Sequence, residues 1–203
     1  MLQEVFLDLI GRYSDDSTFN MQCWQEIADH YSAKNRHYHN LQHIENMLEE
    51  LEEVKQKIQQ IDSLLFSIYY HDIIYQATRS DNEYQSALLF KKRISQTKFE
   101  YIEYCFQQIE ATKKHQESDD YDTNILLDVD LSILGKNQAI YEKYCQQIRQ
   151  EYKIYPKFLY RKGRKKVLKK MLEQDQIYKT SYFIDKYESF ARKNIKQELE
   201  LLN

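Results

Sequence analysis

Glycine and proline are almost missing from this chain: three of the first and one of the second in 203 residues. Sheet-rich folds of that length need turn residues every eight to twelve positions or so, and the scarcity therefore points to an all-α fold with few tight turns. Cysteine is also sparse. Cys23, Cys105 and Cys145 are odd in number, far apart and without a CxxC pairing. They read as reduced packing thiols rather than a disulfide framework, which favours a cytoplasmic location. No stretch approaches the roughly 20 apolar residues that span a bilayer, and the acidic, amphipathic start MLQEVFLDLIGRYSDD lacks the basic and apolar regions of a signal peptide. An excess of either charge is missing too: 29 basic against 32 acidic residues leave a net −3, which sets up no global field toward nucleic acid or anionic membranes.

What the chain does have is helical periodicity from end to end. Leu2, Phe6, Leu9 and Ile10 form one stripe, and Trp24, Ile27, Ala28 and Tyr31 another. Leu41, Ile44, Met47, Leu48, Leu51, Val54 and Ile58 predict a helix over 40–59. Asp62 is placed to cap the next helix, whose nearly continuous Leu64, Leu65, Phe66, Ile68 and Tyr69 predict a central position. A loop follows over 73–80, with a helix start at Asp81-Asn82-Glu83. Further helices are expected over 98–112, 121–133, 136–152, 156–174 and 181–202, with Pro156 suited to a first turn. No repeat, linker or composition break divides the chain, so residues 1–203 read as a single domain.

Five of the six histidines lie between His30 and His71. His39 and His43 are four apart, one turn on a helix face. His71-Asp72 follows 28 residues after His43, a distance that lets an antiparallel helix pair bring the three together. Imidazole nitrogen and carboxylate oxygen together suit a borderline divalent ion. At least four donors are needed, and Asp128 and Asp130 are candidates, because an aspartate in an apolar helix is costly unless paired or metal-bound.

The ordered elements RHYHNLQHI (36–44), HDIIY (71–75), DNEYQSA (81–87) and DVDLSILG (128–135) resemble the HD superfamily of metal-dependent phosphohydrolases. GRKKVLKKML (163–172), IY (177–178) and ARKNIKQEL (191–199) extend the likeness over nearly the whole chain. The YHNxxH element is also similar to that of cyclic-nucleotide phosphodiesterases, although their other signatures are absent. The resemblance implies an HD/phosphodiesterase-like helical bundle with a metal core at about 36–135 and C-terminal helices over 136–203 packed on it. It implies His43, His71, Asp72 and Asp130 as metal ligands, Asp130 being preferred to Asp128, with Asp72 also catalytic and able to bridge a second ion. It implies His39 as general acid and His115 as a ligand of a second metal or of phosphate. One or two ions of Mn, Fe, Co, Ni, Zn or Mg would serve as cofactor. The expected activity is hydrolysis of a small phosphate ester, a nucleotide or related metabolite; the alternative is a metal- and nucleotide-binding module with little turnover.

Each residue also has a blander reading. The histidines can be hydrogen-bonded core residues, and His30 and His37 are left out of the site on that ground. Arg36 can steer phosphate or tie a loop to a carboxylate, and Glu83 can cap a helix or order a ligand. The basic run at 161–166 with Lys169 and Lys170 can track nucleic acid, but such a run is more often a solvated helix face with Val167, Leu168 and Met171 buried beneath. Of the eighteen tyrosines, Tyr38 and Tyr75 stand close enough to the motifs to line a pocket.

Overall fold

A computed structural model describes residues 1–202. Among these there are ten α-helices and no strand, as the shortage of turn residues led us to expect: α1 (Leu2–Gly11), α2 (Ser17–Tyr31), α3 (Leu41–Glu52), α4 (Ile61–Tyr70), α5 (Asn82–Ile94), α6 (Ile102–Ala111), α7 (Tyr121–Leu131), α8 (Gln138–Glu151), α9 (Lys157–Leu172) and α10 (Ser181–Leu201). The central element is α4, seven of whose ten residues are buried. It packs on α6 and α7, while α3 lies against both α4 and α7. On its far side an aromatic cluster joins α1, α2, α4 and α5. Phe6 meets Tyr69 at 5.1 Å between ring centroids, and Tyr70 meets Phe90 at 5.4 Å. Close aromatic contacts of this kind stabilise beyond area burial by about 1 kcal/mol each.

Two helix boundaries differ from the apolar pattern where backbone N–H groups are captured by distant acceptors. The helix expected over 40–59 stops at Glu52 and continues as a short 3-10 turn, Lys55–Lys57. Asp122, buried in α7, accepts the N–H groups of Gln59 and Gln60 at 2.7–3.1 Å, and these donors are lost to any continuing helix ladder. The expected start of α6 at residue 98 moves to Ile102, since the Lys98 N–H donates to the Tyr13 carbonyl instead. Asp62 does not cap α4; its two oxygens accept from Arg12 at 2.7 Å and Tyr13 at 2.8 Å. Asn40 and Asp120 do cap α3 and α7 by accepting the N–H groups of Gln42 and Thr123.

Beyond α7 a 3-10 turn, Ser132–Gly135, turns the chain under α10. A Cβ at Gly135 would stand 2.4 Å from that of Tyr187, so only glycine allows this approach. The most lightly packed helix is α9, with Leu168 alone fully buried. Val167, expected in the buried stripe, is 47% exposed, because this turn of the helix faces a cavity rather than the core. No helix among the described residues is long and apolar enough to cross a membrane.

Candidate metal centre

Three helix ends meet at one point. His71 closes the C-terminus of α4 with Asp72 directly after it, His43 sits in the first turn of α3, and Asp130 lies in the last turn of α7. His43, His71 and Asp72 each offer one ligand atom, and all three atoms lie within 4.8 Å of one another. The two Nε2 atoms are 3.2 Å apart, and Asp72 Oδ2 is 3.2 Å from that of His71. Asp130 Oδ1 joins them at 3.1 Å from His43 Nε2 and 3.8 Å from His71 Nε2.

The separations of 3.1–3.2 Å fit an ion, whereas the 3.8 Å between Asp130 and His71 is longer than a shared ion sets. Donors bonded at about 2.1 Å stand about 3.0 Å apart on an octahedron and about 3.4 Å on a tetrahedron. The orientation fits as well: His71 Nδ1 is 2.8 Å from the Ile68 carbonyl, so Nδ1–H donates there and the Nε2 lone pair points into the cluster. Burial works against ionising Asp72, but His71 and His39 overcome it and hold the carboxyl well below the usual range. Burial likewise opposes ionisation of Asp130, and hydrogen bonds from His115 and His43 reverse it. Both carboxylates are therefore charged donors at neutral pH. For the imidazoles, burial lowers His43, whereas at His71 the Asp72 charge outweighs burial and raises it to about 9. The group could hold a metal ion, and binding would then displace a proton from His71.

His39 stands beside the cluster in the loop before α3, its Nε2 3.8 Å from Asp72 Oδ2. Its ring stacks on Tyr75 at 4.1 Å between centroids. Its Nδ1 is 2.7 Å from Glu151 Oε2, while Glu151 Oε1 accepts the consecutive N–H groups of His37, Tyr38 and His39 at 2.7–2.9 Å. Sequence reasoning missed Glu151. The signal was present: α8 carries its buried residues at 141, 144, 148 and 151, so a carboxylate occupies the next position of an apolar stripe. Burial opposes ionisation of Glu151, yet His39 and the three donors hold its carboxyl down at about 2. These same charges raise His39 despite its burial.

His115 follows α6 in the left-handed region, φ 48°, and its Nε2 is 2.8 Å from Asp130 Oδ2, the oxygen turned away from His43. It thus orients Asp130, and its backbone strain of order 1 kcal/mol is held by the site it serves. Glu83, in the first turn of α5, lines the adjoining cavity, its carboxyl raised by burial and by the charge of Asp72. Arg36 neither faces that cavity nor meets a carboxylate. Its guanidinium donates to the carbonyls of His39 at 3.1 Å, Asp72 at 2.6 Å and Ile73 at 2.6 Å, which locks the two motif loops together. Asp128 is fully buried and accepts from Lys179 N, Thr180 N and Thr180 Oγ1, so it anchors α10 and takes no part in the cluster. Within the basic run, Arg164 is taken up by Glu198 at 2.8 and 3.0 Å.

The helical fold and its histidine–aspartate cluster are compatible with the HD type. In comparisons with protein-family models, with curated proteins and with solved structures, nothing matches this chain.

Proposed function

We propose that the chain is a metal-dependent hydrolase of phosphate esters. The observation that carries this reading is the convergence of four ligand-type side chains from α3, the end of α4 and α7 beside a fifth, His39, whose second ring nitrogen rests on a carboxylate. His43, His71, Asp72 and Asp130 would hold a divalent ion, which would supply positive charge for phosphate oxygens and would lower the pKa of a water from about 15.7 toward 7. The protein supplies the rest. Water gives up one proton to solvent as its oxygen attacks phosphorus, the ester P–O bond breaks, and the electron pair stays on the departing oxygen, which takes the proton from His39 Nε2; His39 regains a proton from solvent. Glu151 keeps the Nδ1 proton in place and stabilises the charged imidazole before transfer, a role worth ~10²–10⁴-fold in rate. Nucleotides are the first esters to assay.

The test is turnover of phosphate esters with Mn²⁺, Co²⁺, Mg²⁺ or Fe²⁺ by the native chain and by Asp72→Ala. Native activity lost in the variant at unchanged helical content supports the reading. Activity that survives the substitution, or tight ester binding without product in the native chain, overturns it.

A further inference from the structure

The cavity beside the cluster is far larger than a phosphoryl group. Its volume is about 590 Å³, within the range of about 300–1,000 Å³ that takes whole drug-sized ligands. Its two ends differ in chemistry. The polar lining comes from the motif loops, the start of α5, the end of α7 and the segment after α6, namely His39, Asp72, Glu83, Asp130 and His115, with Lys113 and Lys114. The opposite wall comes from α8, α9 and the 3-10 turn after α7: Ile133, Leu134, Ile148, Val167 and Met171, with a row of tyrosines.

Several polar atoms of that second wall are already engaged, although the exposed Lys170 and the Tyr160 hydroxyl also line it. The Tyr144 hydroxyl accepts from Arg164, two further donors of which lie on Glu198. Gln174 accepts from Lys179, and the Tyr155 hydroxyl donates to the Ala77 carbonyl. A polyhydroxylated group placed here would give up hydrogen bonds to water and find few replacements. Meanwhile Leu159 and Val167 remain 46% and 47% exposed on the cavity side of α9. Between them Gly163 has no atom within 4 Å of where a Cβ would stand, although glycine in a helix costs about 1 kcal/mol relative to alanine. Lys170 apart, the wall offers mainly aliphatic and aromatic surface, uncovered by the fold and kept low.

We propose that this wall is the leaving-group subsite, and that the substrate is a phosphate ester of a bulky, mainly apolar alcohol, alkyl or aryl, rather than of a sugar. The proposal rests on the hydrolase reading above. It names which esters that chemistry accepts.

The experiment is a chain-length series, ethyl to decyl phosphate, on the native Mn²⁺-loaded protein, with glucose 6-phosphate and adenosine 5′-phosphate alongside. Calorimetric binding of ethyl- and octylphosphonate provides a readout without turnover. Expected is a rise in kcat/KM of about fourfold per methylene until the cavity is filled, with octylphosphonate binding at least 100-fold tighter than ethylphosphonate. In Val167→Trp the decyl-to-ethyl ratio should fall at least tenfold, whereas exposed Lys166→Ala, outside the cavity, should leave it unchanged. A flat series, equal phosphonate affinities, or a preference for the sugar or nucleoside ester overturns the subsite. If no ester turns over, the hydrolase reading fails by itself, and the phosphonate comparison still decides what the wall accepts.

Discussion

Replacing Glu151 by glutamine removes one charge and almost no volume. In the native chain the carboxylate is 1% exposed, accepts three consecutive backbone N–H groups and pairs with His39. Holding its carboxyl at about 2, against an ordinary value of about 4.3, corresponds to about 3 kcal/mol of native stability at pH 7. Three N–H donors to a charged acceptor, each worth about 1 kcal/mol more than to a neutral one, give the same figure. The sign follows from the direction of the shift. A depressed carboxyl contributes above its unfolded value and loses that contribution as pH falls toward the folded value. The difference between native chain and Glu151→Gln should thus be full at pH 7, begin to shrink below about 4.3, and stand near half at pH 3. Urea unfolding of metal-free protein at pH 7, 5, 4 and 3 measures it, and at pH 7 the variant should melt roughly 6–12 °C lower. A difference that is absent at pH 7, or constant from pH 7 to 3, refutes the assignment of this stabilisation to an ionised Glu151. Under the hydrolase proposal the same variant loses ~10²–10⁴-fold in kcat on alkyl esters and much less on nitrophenyl phosphate, whose leaving group needs no acid.

Three further outcomes are expected. His115→Ala frees the second oxygen of Asp130 and should weaken Mn²⁺ binding about 10–100-fold by calorimetry; unchanged affinity removes His115 from the site. Arg164→Met leaves Glu198 buried without its partner and should cost about 3–5 kcal/mol in urea unfolding, at least half of it regained in Arg164→Met/Glu198→Leu; a double variant no more stable than the single one contradicts this. Gly135→Ala drives a methyl into Tyr187, whose hydroxyl is pinned by Glu50 and Lys136, and should cost about 1–3 kcal/mol; a melting temperature within 1 °C of native would show that Tyr187 gives way freely.

The helical architecture was legible because so little in the chain can turn a hairpin. His43, His71 and Asp72 were legible because their spacing suits an antiparallel pair, and α3 and α4 supply it. The choice of Asp130 over Asp128 came from the family resemblance alone and not from the helix pattern. Both interrupt the same apolar helix, and which one turns to Thr180 and which to His43 depends on where α10 docks. Arg36 misled because a buried arginine can satisfy itself on carbonyl oxygens, a partner that no side-chain pattern reveals. Helix ends were misplaced for a related reason: Asp122 ends the α3 segment from 63 residues away. Periodicity records which face of a helix is covered, but not which distant acceptor takes its last N–H groups.

The reach of Glu151 back to His39, 112 positions earlier, bears on how the molecule is made. On the ribosome His43, His71 and Asp72 emerge long before Asp130, and Glu151 emerges later still. Throughout most of translation the growing polypeptide therefore exposes an incomplete set of donors with an untethered loop. Under the metal-centre reading the donor set is complete only once α7 has emerged, and the loop that carries His39 is tied down only when α8 follows.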